Sequence, residues 1–439
     1  MQTIAEAFTE IVRLIGDTFR LWWKNLVPLV TWFLAGNIVF VAATQGAVWL
    51  RIHQHATLAI GLFSFGALAQ LVAIVGMIRT VAGSLYRWRD AAAGPGETID
   101  PTQQRLLELL ALTLLPLVAV WSAWGYLDEA VNAYASTFYT IKGTFDAPFN
   151  FSGGQWKSYL PAILVLLVVR RIVEWSDERW PNRAVKLFQV WVEAFFILLV
   201  FIITVPAIQT AKNWLAERRF WIAVTDIWDA VKSWFAGINI PIPAGLEWLW
   251  GVFTDTLWPL FTAGVAQPLT WLAITTVVFG HQALSAAGVV RGTRLESRIH
   301  GGETANRGRV AALANRAPDL VLAGFKEKFL PTLNAFRLLL GVGPVFLGAV
   351  CVVYSLHDVA FNWFDIGVSR LIGDRGSNFT ILWGNLIGLA QNALFEPLRI
   401  ALLAAAFDQA ISVGLQKRSQ AAERKPADQQ VAAPEPVRA

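Results

Sequence analysis

The stretch FTILWGNLIGLAQNALFEPLRIALLAAAFDQAISVG, Phe379 to Gly414, decides the fold. It is the longest apolar run in the chain, yet it carries Glu396 and Arg399. Charges deep in an apolar helix are costly, so they mark a functional site or a structural pairing. Asn385, Asn392, Glu396 and Arg399 follow at steps of seven, four and three. At helical pitch those steps place all four on one stripe. The expectation is a helix that turns this polar stripe toward protein or a water-filled cavity, and its other side toward lipid. At about 1.5 Å per residue the run is too long for a straight crossing. Pro397 should kink it, and the helix should continue beyond the bilayer past Asp408.

The composition extends this reading to the whole chain. Apolar residues make up 55% of the 439 residues and charged residues 15%, against about 25% charged in soluble domains. Several apolar stretches are longer than the roughly 18 residues that mark a membrane-crossing helix. The fold class is therefore all-α, a polytopic integral membrane helix bundle with about 8 transmembrane helices. No run alternates with period two, as a membrane barrel requires. The single cysteine, Cys351, allows no internal disulfide and no cysteine metal cluster. The opening residues carry early acids and no small-residue cleavage site, so no cleavable signal peptide is expected. Abundant alanine, and arginine in excess over lysine, point to a GC-rich bacterial source.

Residues 1–25 read as an amphipathic helix, with Ile4, Phe8, Ile11, Ile15, Phe19 and Trp22 on one face. Such a helix lies in the membrane interface or packs on the protein's own cytoplasmic surface. Residues 26–210 hold spans one to five, centred on Val27–Leu50, Leu58–Ile78, Leu106–Tyr126, Leu160–Val173 and Leu187–Ile208. In 211–255, Trp214, Trp221, Trp228 and Phe235 recur every seven residues with charges between them, and Ile240-Pro-Ile-Pro-Ala244 interrupts the pattern. Trp favours the membrane–water boundary, where an apolar ring and a polar N–H are both satisfied. The segment is expected to form two Trp-rich interfacial helices on the outer face. Span six occupies 256–280, a basic cytoplasmic loop 281–336, spans seven and eight 337–414, and a polar tail 415–439 is expected to be disordered.

Charge sets the orientation. Of 36 lysines and arginines, 26 fall on the side of the N-terminus, 9 on the other side, and Arg399 lies within a span. Basic residues collect in cytoplasmic loops, which places both termini in the cytoplasm and the protein in the inner (plasma) membrane. The same reasoning treats the net charge of +5 as topology and implies no nucleic-acid partner.

The Glu396-Pro-Leu-Arg399 pair is the leading site candidate, because side chains three residues apart on a helix meet. It reads either as a gate or substrate contact, or as a pair that neutralises itself and fixes helix packing. His53 and His55, with His357 and Asp358, are weak candidates for zinc, whose ligands are imidazole and carboxylate. Arg291, Arg294, Arg298, Arg307, Arg309 and Arg316 in the basic loop suit anionic lipid headgroups, a docking protein, or simple topogenic charge. No GxxxxGK[ST], HExxH or GxSxG signature occurs, and no cofactor is implied. The functional expectation is a non-enzymatic bacterial inner-membrane protein for transport or handling of lipid or cell-envelope precursors. The alternative is a structural or scaffold subunit of a membrane protein assembly. The expected partners are the lipid bilayer, anionic lipid at the cytoplasmic face, and other membrane proteins.

Overall fold

The structure, a computed structural model, describes residues 2–85, 117–118, 121, 125–144, 160–179, 183–237, 242–286, 342–373 and 377–423. Every regular element among them is a helix. In chain order these are α1 (Gln2–Ile52), α2 (Ala56–Ala82), α3 (Tyr126–Lys142), α4 (Leu160–Arg179), α5 (Arg183–Ala216), α6 (Arg219–Gly237) and α7 (Ile242–Val252). Then come α8 (Trp258–Phe261), α9 (Gln267–Ala286), α10 (Pro344–Ile372) and α11 (Ser377–Glu423). Among the described residues, five stretches are long and apolar enough to cross a membrane: Ala7–Ile52, Ala56–Ala82, Glu247–Phe279, Pro344–Ile372 and Trp383–Ser412. Eight crossings are therefore not established. The expected third span lies almost entirely outside the described residues, and the fourth and fifth fall within α4 and α5.

Three boundaries differ from the sequence expectation. The N-terminal amphipathic segment and the first span form one helix of 51 residues, because nothing between Trp22 and Val30 except Pro28 interrupts helical pairing. The Glu247-Trp-Leu-Trp250 segment lies in α7 and falls within an apolar stretch, Glu247–Phe279, that continues into span six. The polar tail begins as helix, since α11 continues to Glu423.

The chain divides into two compact units. The first comprises Thr31–Val75 and Arg105–Pro268. Here α1 and α2 form a hairpin whose turn puts Gln54 at φ 67. The two helices approach closely at glycines. A Cβ on Gly36 would stand 2.5 Å from the Ala73 Cβ, and one on Gly66 would stand 2.9 Å from the Ala43 Cβ. Small residues are what let helix backbones come this near. Phe40, Phe63 and Tyr134 are buried around them, with Phe63 edge-on to Tyr134 at 5.7 Å. The Trp191 indole N–H donates to the Gly61 carbonyl at 3.3 Å.

Between α7 and α9 the helical path widens twice, into π turns at Phe253–Leu257 and Thr262–Ala266. Each is followed two residues later by a proline, Pro259 and Pro268. Proline lacks an N–H and its ring crowds the carbonyl four residues back, here that of Asp255 or Gly264, each inside a π turn. Lengthening the local hydrogen bonds to i→i+5 relieves the clash without breaking the helix. Trp250, Phe253, Trp258 and Phe261 form an exposed ladder along this path, with centroids 5.7 to 6.1 Å apart.

The second unit comprises Met1–Val30, Gly76–Gln104 and Leu269–Ala439. Its core is the C-terminal half of α11. Residues 399–410 are buried on every face, among them a run of small alanines at 404–406. Phe407 stacks on Phe279 of α9 at 4.8 Å. The expectation of a lipid-facing side along the whole helix therefore fails for this half. Among the residues of α11 whose burial is described, exposed positions such as Trp383, Leu386 and Leu394 all precede Pro397.

Candidate functional site in the second unit

The polar stripe of α11 is graded by depth in the protein. Asn385 is exposed, Asn392 and Glu396 are half-buried, and Arg399 is buried. Arg399 Nη2 donates to Glu396 Oε2, so the predicted ion pair forms, with side chains 7% and 24% exposed. The guanidinium also lies over the fully buried Trp271 ring of α9, 5.2 Å from its centroid. An arginine against an indole face is held by the ring's negative quadrupole. The cation is thus fixed from two directions, by a carboxylate on its own helix and an aromatic ring on another. Close by on α11, Gln391 is buried, and its Nε2 makes no hydrogen bond among the described residues.

The structure adds two residues that the sequence reading placed elsewhere. The sequence puts the seventh span at about Leu338 to Tyr354, with His357 and Asp358 just after it. Instead α10 runs on to Ile372, so both stand at the middle of a helix long enough to span. His357 Nδ1 lies 3.0 Å from Asp358 Oδ1, and Nε2 lies 3.0 Å from the carbonyl oxygen of Phe395 on α11. The Phe395 ring packs against His357, Phe361 and Phe364 at 5.2 to 5.7 Å. The carbonyl that receives His357 thus belongs to the residue before Glu396. The available signal was the apolar sequence after Asp358, whose Asn362, Asp365 and Arg370 made it look like a loop.

A second polar cluster lies nine residues further along α11, about 13.5 Å at helical rise. Asp17, Arg20, Leu21 and Lys24 of α1, Ser84 just after α2, and Ala405 and Asp408 of α11 line a pocket with about 20 Å³ of free interior, room for about one water. Gln409 Nε2 donates to Asp17 Oδ2 at 2.8 Å, and Ser84 Oγ donates to Asn25 Oδ1 at 3.1 Å. Asp408 is 4% exposed. The charged face of the N-terminal helix is therefore turned in part toward α11.

The remaining candidates are not drawn together. His53 is engaged locally, with Nδ1 2.8 Å from the Trp49 carbonyl and its ring 4.2 Å from the Trp49 ring. Among the described residues no group of three or more His, Cys, Asp or Glu is arranged to hold a metal ion. The proposed convergence of His53, His55, His357 and Asp358 is thus not formed. The aromatic stripe is broken at Glu217–Arg218, where α5 ends and α6 begins, so Trp214 sits on a different helix from Trp221 and Trp228. All three are exposed, and Arg218 stacks over Trp214 at 3.8 Å. The side chain of Phe235 lies outside the described residues, as do Arg291, Arg294, Arg298, Arg307, Arg309 and Arg316.

Five helical stretches among the described residues that are long and apolar enough to cross a membrane define the class: an α-helical membrane protein. No protein-family model, curated protein or solved structure matches the chain.

Proposed function

We propose that this is a non-enzymatic bacterial inner-membrane protein that transports or handles lipid or cell-envelope precursors, with both termini in the cytoplasm. The observation that carries the reading is the Glu396–Arg399 pair, held under Trp271 at the middle of a spanning helix. A charge pair at that depth is costly to keep. Arginine also recognises phosphate and carboxylate groups, the polar parts of envelope lipids and their precursors. The small pocket lined by Arg20, Lys24, Asp17 and Asp408 supports the reading by providing a second charged station on the same helix. Exposed Trp and Phe along α7 and α8 suit contact with lipid. The basic loop is proposed to meet anionic headgroups.

The scaffold reading is favoured by a different observation. The pocket beside Asp408 has room for about one water, as expected where polar groups lock helices together. The experiment uses a double apolar replacement, Glu396→Leu with Arg399→Leu, in cells that depend on this protein. Pools of envelope lipids and lipid-linked precursors are read by mass spectrometry and protein level by immunoblot. Normal level with a disturbed precursor pool supports handling through this site. Normal level with normal pools removes the site from function and leaves the scaffold.

A further inference from the structure

Both ring nitrogens of His357 face groups that accept hydrogen bonds. Nε2 is 3.0 Å from a backbone carbonyl oxygen, which is an acceptor only, and Nδ1 is 3.0 Å from a carboxylate oxygen. A neutral imidazole has one N–H, and an ionised carboxylate has none. With a neutral ring and an ionised Asp358, one of the two contacts would set lone pair against lone pair. Both contacts are satisfied only when the pair holds one additional proton. That proton makes the ring an imidazolium, or else it sits on Asp358 and is donated to Nδ1 while Nε2–H serves the carbonyl.

From this geometry we propose that His357 and Asp358 form a proton-binding site, and that the bound proton ties α10 to α11 at the carbonyl next to Glu396. Losing the proton leaves one N–H for two acceptors. The ionised carboxylate is the stronger acceptor, so the N–H goes to Asp358 and the interhelical bond to Phe395 is lost. The His357 side chain is 10% exposed and packs edge-on to the Phe395 ring, whereas Asp358 is 46% exposed and is the port for exchange. The other charged groups nearest in the described sequence are Asp365 on α10, and Glu396 and Arg399 on α11, which neutralise each other. The site thus joins a protonation event to the helix that carries the ion pair.

The test uses the full chain in lipid discs with ¹⁵N-labelled histidine rings. His357→Gln identifies the His357 signals among the five histidines. Infrared difference spectra, with Asp358→Asn as control, read whether the carboxyl is protonated. The expected result is one proton beyond the neutral-ring, ionised-carboxylate state at the acid end of a titration, and its loss toward the alkaline end. Spin labels placed by Leu356→Cys and Leu394→Cys, in a Cys351→Ser background, should move apart on that loss. His357→Gln should abolish the pH dependence, because glutamine keeps an N–H for the carbonyl without titrating. A ring with one N–H beside an ionised carboxylate at every pH overturns the proposal, as does a helix separation that changes with pH equally in His357→Gln. None of these readouts needs a lipid substrate, so failure of the lipid-handling reading would leave this result standing, and the reverse.

Discussion

Removing Glu396 while keeping Arg399 is the sharpest perturbation of this structure. Arg399 is 7% exposed, so Glu396→Leu leaves a buried cation without its counter-ion. Breaking a buried pair from one side costs about 3–5 kcal/mol. The Trp271 ring remains in place and retains roughly 0.5–2 kcal/mol of attraction. The net loss for Glu396→Leu is then about 1–4.5 kcal/mol, roughly 5- to 2,000-fold in the unfolding equilibrium. Arg399→Leu should cost less. The remaining carboxyl is 24% exposed and can take up a proton to become neutral, as isolated buried carboxylates do. The double replacement should recover most of the loss, because apolar pairs often substitute for buried ion pairs at little cost. The assay is reversible unfolding in mixed micelles for the four proteins of the cycle, with membrane abundance as a second readout. A smaller loss for Glu396→Leu than for Arg399→Leu, or a double variant less stable than either single, would refute the reasoning.

Other outcomes follow from other parts of the structure. Gly36→Ala should destabilise the α1–α2 hairpin by about 1–3 kcal/mol, since the new Cβ must be accommodated 2.5 Å from Ala73 Cβ. Gly16→Ala, with nothing within 4 Å, should instead stabilise α1 by up to about 1 kcal/mol; thermal unfolding of both variants checks the contrast. Lys232 donates to Glu247 at 2.6 Å and pairs with Asp229, which holds its pKa above the usual 10.5. A raised pKa contributes stability below the unfolded-state value and loses it as pH rises through the folded-state value. Protection from hydrogen exchange at 242–252, relative to the unstructured rate at the same pH, should therefore fall only above about pH 10.5, and Lys232→Met should abolish that step. Reporter fusions at the two ends should both read cytoplasmic; opposite sides would contradict the charge count of 26 against 9.

The helical class was legible because apolar runs need no partner to be recognised. Glu396 and Arg399 were legible as a pair for the same local reason, since a three-residue step on a helix is read without tertiary information. What covers them was not. Trp271 is more than a hundred residues away in the chain, and no pattern links an indole to a particular arginine. The tie of His357 to α11 was not legible, because its partner is a backbone carbonyl, that of Phe395, 38 residues further on. The buried second half of α11 was missed for a related reason. A helix faced by protein and one faced by lipid have the same apolar composition. The continuity of α1 was hidden by the change from an amphipathic segment to an apolar one after residue 25, which leaves helical hydrogen bonding unbroken, Pro28 included.

The central claim is that the protein handles an amphiphilic envelope molecule through charged groups inside its own helices. The most direct measurement is extraction from the native membrane in lipid discs, followed by mass spectrometry of every protein and lipid retained. The account predicts one lipid or lipid-linked precursor class enriched on the wild-type protein and lost from the Glu396→Leu, Arg399→Leu double variant. Stoichiometric protein partners with unselective lipid would contradict it and make this chain a structural subunit.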